Sequence, residues 1–345
     1  MAKRPHAAAL SPALRVVRGC ANHTMSFTDD DALADACFSR ALSRSRRWPG
    51  DLQLFRMPLY YFLSEYNQNN MIFTIKMSIL NWIKEREIDG IATLSVKEVR
   101  ENFPQMPANI VQNELYRLTK QREIALVHKG FYSRIPVQYK RWNHLPPYYY
   151  IDQLMAYLQK PYYIGLLTAG ELHGASHQSP QRFCVFTTLP GTTVSPRINP
   201  LLFWCYRRTI PQSLLLRKNS ETGEIQYSNA ELTAVDLVQY SQYIGGLSRA
   251  STVLAELMET ADFGLCSDEL FSTGTVAAFQ RLGYLLEEIL DCSSQAQALH
   301  QRLKDHGLPF RWVDLSRQTH NHVHVMSENA KWKILVNAKI EVDDL

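Results

Sequence analysis

With 345 residues and 46% hydrophobic side chains, the chain can bury a sizeable core and is long enough for two domains plus extra segments. A formal charge of +4 with 20% charged residues is unremarkable, and no apolar run approaches the length of a membrane span, so a soluble, cytoplasmic protein is expected. Cys20, Cys37, Cys184, Cys205, Cys266 and Cys292 form no CxxC pair, which argues against a zinc site or a disulfide framework and for reduced thiols.

Residues 1–56 differ from the rest. Ala, Ser and Arg dominate, Asp29, Asp30 and Asp31 interrupt, and SRSRRWPG closes the segment. It lacks the apolar stretch of a signal peptide and offers few groups able to offset the entropy of ordering, so a disordered leader is expected. An alternative is a natural chain that begins at Met57 or Met71. The aromatic stretch from Met57 (MPLYYFLSEYN) has no assignable role.

The following stretch, 71–140, reads as a winged helix-turn-helix. IKMSILNWIKER (Ile75 to Arg86) is an amphipathic helix burying some combination of Ile75, Ile79, Leu80, Trp82 and Ile83. SVKEVRENF has Ser95 as N-cap with Glu98 as its capping-box partner, and Val96, Val99 and Phe103 as the buried stripe. PQMP breaks that helix, because the residue before a proline is pushed out of helical geometry. A second helix follows from Pro107, with Val111, Leu115 and Leu118 facing inward.

Its opposite face carries Asn109, Gln112, Asn113, Tyr116, Arg117 and Lys120, side chains suited to base edges and phosphates. IALVHKG and FYSRIP form two strands turning at Lys129-Gly130, the wing. A small helical domain with no DNA function gives the same pattern. Charge favours DNA: residues 71–140 hold eleven Lys/Arg against seven Asp/Glu, net +4, whereas 151–345 hold sixteen against twenty, net −4.

Pro146-Pro147 stiffens a connector, and a second domain, 150–345, is expected after it. Helices are predicted at Ile151 to Leu158, Tyr163 to Leu172, Ala234 to Tyr243, Ser251 to Thr260, Thr275 to Leu290 and Gln295 to Asp305. Strands are predicted from Arg182 and at Leu201 to Cys205, Leu214 to Leu216 and Ile225 to Tyr227. The fold class is therefore α+β (mixed α/β). GGLSRA (Gly245 to Ala250) resembles a phosphate loop only superficially and more simply supplies a turn with Ser248 as N-cap; Arg249 and Arg281 share a surface only if the fold brings them together.

Several blocks resemble the AbiEi-type antitoxins of abortive-infection toxin-antitoxin operons: KPYYIGLLTAGELHGASHQSPQRFCVF (Lys160 to Phe186), LTAVDLVQYSQYIGGLSRASTVLAEL (Leu232 to Leu257), AFQRLGYLLEEI (Ala278 to Ile289) and NAKWKILVNAKIEVD (Asn329 to Asp343). The resemblance covers roughly residues 75–345. It implies a winged helix that represses its own operon by binding double-stranded promoter DNA, and a C-terminal domain that counteracts a nucleotidyltransferase-like toxin encoded nearby, without an assumed direct complex. The matching DNA-binding residues are Asn109, Gln112, Asn113, Arg117 and Lys120, with Lys129 and Arg134 as phosphate contacts.

Chemistry of other kinds has weaker signals. His320, His322 and His324 share one face if they lie on a strand, but no Cys or compelling carboxylate completes a metal shell, and a solvated polar strand is the simpler expectation. His173 and His177 lack the intervening Glu of a zinc-protease motif, and Gly174 favours ending a helix there. A DNA-guided nuclease would recruit Glu171, Asp236 and Asp268 with Lys331 or Lys333. No P-loop or dinucleotide fingerprint occurs, so no cofactor, no metal and no catalytic residue are expected. A ligand-sensing transcriptional regulator is a further alternative.

Overall fold

The computed structural model describes residues 78–141, 145–175, 179–188, 201–317 and 325–342, all within one unit, Met77–Leu345. The leader, the Met57 stretch, Ile75, His177, His320, His322 and His324 lie outside the described residues.

The first element, α1 (Ile79–Ile88), starts later than its periodicity predicts. Ser78 is extended and its hydroxyl accepts the Asn81 amide, which makes it the N-cap. Then come β1 (Thr93–Ser95), α2 (Val96–Asn102), α3 (Ala108–Lys120), β2 (Ile124–His128) and β3 (Phe131–Arg134). The capping box at the head of α2 is formed: the Glu98 amide donates to the Ser95 hydroxyl at 3.1 Å and the Ser95 amide to the Glu98 carboxylate at 2.7 Å. The three strands pair antiparallel in the order β1-β3-β2, and β2 turns into β3 at Lys129 and Gly130, with Gly130 at φ 75°. Ile79, Trp82 and Ile83 of α1, Val99 of α2, and Val111, Leu115 and Leu118 of α3 close one core with Leu94 and Ile124.

Beyond the connector lie α4 (Ile151–Tyr157), β4 (Tyr162–Ile164), α5 (Leu166–His173), β5 (Phe183–Thr187), β6 (Leu202–Tyr206), β7 (Leu215–Ser220) and β8 (Gly223–Ser228). The five strands form a mixed sheet in the order β6-β5-β4-β8-β7. Its two faces feed two cores with period 2: Tyr162, Ile164, Phe183 and Val185 point to one, Tyr163, Cys184 and Phe186 to the other. The helix predicted over Tyr163 to Leu172 is thus a strand followed by a helix. Gly165 marks the break, since a Cβ there would sit 2.5 Å from the Phe186 ring.

The first sheet face also takes in Val127 and Phe131 from the β2–β3 hairpin, together with Tyr150, Ile151, Leu154 and Met155. Tyr157 of α4 fastens the hairpin turn: its ring lies 5.0 Å from that of Phe131, and its hydroxyl points to the Lys129 carbonyl at 3.5 Å. The hairpin therefore belongs to two cores at once.

The other sheet face is covered by helices. These are α5, α6 (Ala230–Gln239), α7 (Leu247–Leu257), the short α8 (Glu269–Thr273), α9 (Val276–Glu288) and α10 (Ser293–Asp305). The α7 helix begins at Leu247, and its N-cap is Gly246 rather than the expected Ser248. Gly246 has φ 97° and ψ −176°, a conformation only glycine adopts without strain. A small sheet of β9 (Val313–Asp314), β10 (Ser327–Asn329) and β11 (Ile334–Val336), in the order β10-β11-β9, seals the end of this core with Trp332, which is fully buried. Mixed α/β architecture is established.

Candidate nucleic-acid interface

The α3 helix is strongly two-sided. Val111, Leu115 and Leu118 are buried, and Asn109, Gln112, Asn113, Tyr116, Arg117 and Lys120 are all exposed. Basic side chains occupy its last turn, where they complement the helix dipole, and no acid sits in the first. The Lys120 ammonium lies 4.8 Å above the Tyr116 ring, so cation and ring present one amphipathic surface. Arg117 is held along the helix: its guanidinium forks onto the Glu114 carboxylate and reaches Gln121 at 3.2 Å. Glu114 is half-buried, and sequence reasoning gave it no role.

Lys129 sits exposed in the hairpin turn. Arg134, expected at a phosphate, is not on the surface. Its side chain is 6% exposed and pairs with Glu87 at 3.2 Å and with Glu123, while its Nη1 also donates to the Glu123 carbonyl. Glu123 in turn accepts from Lys140 at 2.5 Å. Burial pushes the Glu123 carboxyl up, but Lys140 and Arg134 outweigh that and hold it below the ordinary range. Arg134 is a structural cation joining α1, the start of β2 and the end of β3.

Two further carboxylates of this region are also paired. Glu98 takes Arg86, and Glu101 takes Lys97. What remains without an ion pair among the described residues includes Lys120, Lys129 and Arg100, the last on the exposed side of α2. Arg100 was missed because in SVKEVRENF it reads as one charge among several of both signs. Glu87, Glu98 and Glu123 tie down the scaffold, and the unpaired Lys120, Lys129 and Arg100 lie outward, where phosphate would meet them.

The groups a nuclease would use are not gathered. Asp236 is fully buried between Arg207 and the Tyr163 hydroxyl, which donates to it at 2.7 Å. Burial raises the Asp236 carboxyl above its ordinary value, against the pull of Arg207. Glu171 accepts from Tyr148 and Ser179, and Asp268 pairs with Arg302 and His306. Lys331 pairs with Glu287, and Lys333 donates to the Phe310 carbonyl. His173 ends α5 ahead of Gly174, which is left-handed, and its Nε2 lies 2.8 Å from the Ser228 carbonyl. Among the described residues no three His, Cys, Asp or Glu side chains cluster as metal ligands, and no helix is long and apolar enough to cross a membrane.

Residues 163–288 match the family model of the AbiEi antitoxin C-terminal domain. No curated protein matches the chain. Among solved structures, the chain is similar to the RV2827C protein from Mycobacterium tuberculosis, at 15% identity and a TM-score of 0.52, over 73% of this chain and 89% of that one. That likeness is one of fold. An antigenic nucleotidyltransferase-like protein from Paracoccidioides brasiliensis aligns at 13% identity and a TM-score of 0.28, over 43% of this chain and 89% of that one.

Proposed function

We propose, from the match of residues 163–288 to the AbiEi antitoxin C-terminal domain, that the chain is the antitoxin of a toxin-antitoxin pair and also represses its own operon. The match over residues 163–288 is the observation that carries the antitoxin role. The toxin is a nucleotidyltransferase-like protein encoded nearby, opposed without need of a stable complex. Both act in the cytoplasm. No catalytic residue is assigned.

Promoter binding is placed in residues 71–140, read as a winged helix-turn-helix, and antitoxicity in 150–345. Three features support the first placement: the order α1-β1-α2-α3-β2-β3, the tight connection from Phe103 to Pro107 between α2 and α3, and a three-stranded sheet whose hairpin serves as the wing. In this arrangement α3 enters the major groove, with Asn109, Gln112, Asn113 and Arg117 toward base edges and Lys120 and Lys129 toward phosphates. Arg134 is withdrawn from that set because its side chain is buried as well as paired, whereas the paired Arg117 stays exposed.

Co-expression tests the antitoxin role. The adjacent gene is induced alone and together with the full chain, and growth is scored. Toxicity relieved by the full chain supports it; a harmless neighbour, or toxicity that persists, removes it. Gel shift against the chain's own promoter, run in chelator, tests the repressor role separately.

A further inference from the structure

A cavity of about 490 Å³ opens where the turn after α6, the head of α7, Arg281 of α9 and the segments after β9 and β11 converge. Gly245, Gly246, Ser248, Arg281, Arg317 and Lys339 line it, and none of its lining residues is Asp or Glu. The α7 N-terminus has no side-chain cap, so the amides of its first turn lack intrahelical acceptors. A Cβ on Gly246 would meet nothing within 4 Å, which shows that the backbone faces open space there.

Arg281 supplies the independent observation. The residue is only 6% exposed, yet no carboxylate lies within ion-pair distance among the described residues. Its Nε donates to the carbonyls of Asp314 at 2.8 Å and Leu315 at 3.0 Å, which fixes the plane of the guanidinium and leaves its two terminal nitrogens without a hydrogen-bond partner among the described residues. Burial, then the neighbouring Arg317 charge, pulls the Arg281 guanidinium down to about 10, only partly offset by Asp314. Arg317 is exposed and has no ion pair among the described residues, while Lys339 holds only an exposed pair with Glu341 at 2.9 Å. A nearly buried arginine beside a second arginine, with no carboxylate in ion-pair contact among the described residues, is an arrangement that an anion stabilises.

We propose that this cavity binds the phosphate group of a small phosphorylated molecule. A planar guanidinium held at one edge presents its free edge for two parallel hydrogen bonds, and a helix N-terminus supplies further donors to the same oxyanion. The volume lies in the range of small-molecule sites and exceeds what a phosphate alone fills, so a nucleotide-sized body fits behind the phosphate. The segments closing the cavity, from Leu315 and from Ala338, lie beyond the matched family domain, so the site is completed by the C-terminal tail. It does not depend on the antitoxin role.

Isothermal titration of the full chain, in buffer free of phosphate and sulfate, tests this with three probes: inorganic phosphate, AMP and ATP. At least one binds with a Kd below about 1 mM, and Arg317→Ala weakens it about tenfold or more. Arg317 makes no structural hydrogen bond among the described residues, so that variant keeps the wild-type melting point without ligand; Lys331→Ala, on a cation paired elsewhere, keeps the wild-type affinity. Arg281→Lys, which keeps the charge but not the planar fork, weakens binding as well. Inorganic phosphate binding as tightly as AMP marks the phosphate as the whole ligand, and tighter AMP marks a phosphomonoester; both uphold the site. Absence of binding by all three probes, or unchanged affinity in Arg317→Ala, overturns it. So does an Arg317→Ala effect seen only in the promoter gel shift, which would make the cavity a nucleic-acid contact.

Discussion

Gly283 sits inside α9, where alanine would ordinarily stabilise a helix by about 1 kcal/mol. Here Gly283→Ala is expected to do the opposite. A Cβ at this position would lie 2.1 Å from the Trp332 ring, against 3.4 Å for ordinary contact, so the ring must retreat by the difference, roughly 1.3 Å. It has little room to do so. The Trp332 indole donates to Glu287 at 2.6 Å, its carbonyl accepts from Gln280 at 2.6 Å, and His300 and Phe310 close over the ring at 5.0 and 6.1 Å. Overpacking a rigid core costs about 1–3 kcal/mol. With the upper end of that range set against the helix gain, the net loss is about 2 kcal/mol. Urea unfolding followed by tryptophan fluorescence reads it as a lower midpoint at unchanged slope. In the double variant Gly283→Ala with Trp332→Leu, the two losses are less than additive, because the clash partner is gone. A Gly283→Ala protein as stable as the wild type would refute the packing of the tail against α9.

Removing the proposed recognition side chain, Arg117→Ala, is expected to weaken promoter binding by about 1–3 kcal/mol and relax sequence preference, whereas Lys129→Ala should weaken all sequences evenly and lower the salt slope by about 1. Quantitative gel shifts over a salt series separate the two, and an Arg117→Ala protein with wild-type affinity would take α3 out of the groove. Arg134→Ala should change folding rather than DNA contact: stability drops because Glu87 and Glu123 lose their partner, and near-wild-type stability with weakened DNA binding would restore Arg134 to the interface. Arg207→Met leaves Asp236 fully buried without its counter-charge and costs roughly 3–5 kcal/mol in chemical unfolding; a loss under about 1 kcal/mol would mean the pair is not as buried as described. Burial raises the Glu98 carboxyl, but Ser95 and Arg86 hold it below its ordinary 4.5, so its contribution is present above that pH and fades as pH falls through the lower folded value. Glu98→Gln should therefore flatten the acid limb of a melting-temperature profile, and an unchanged limb would rule the capping box out as its source.

Local chemistry was legible from the sequence wherever both partners lie within one helical turn. The Ser95–Glu98 box and the stripe of Val111, Leu115 and Leu118 need only neighbours three or four residues away. The strand β4 was not legible, because its three residues are all buried, on two faces, and a continuous apolar run followed by LLTAGEL scans as helix. Arg134 failed for a related reason: a lone arginine at a strand end reads as surface, and the carboxylate that buries it, Glu87, lies 47 residues upstream. Arg281 and Arg317 are brought to the α7 N-terminus by strand pairing near the C-terminus, which no periodicity in the chain announces. GGLSRA supplied the glycines and pointed conditionally to Arg281, while its own Arg249 is not among the residues lining the cavity and Arg317 carried no signal.

The hairpin that serves two cores also sets an order of events during synthesis. Val127 and Phe131 leave the ribosome well before Ile225, a buried member of the same cluster 94 residues after Phe131. At translation rates of roughly 5–20 residues per second the cluster is complete only roughly 5–20 s after Phe131 is made. Until α4 follows with Ile151, Leu154, Met155 and Tyr157, the second face of the hairpin is bare, and a nascent or truncated chain ending near residue 150 displays apolar surface that the finished protein covers. On the proposed division of labour, the half that silences the operon reaches its final form only once much of the half that protects the cell has been made.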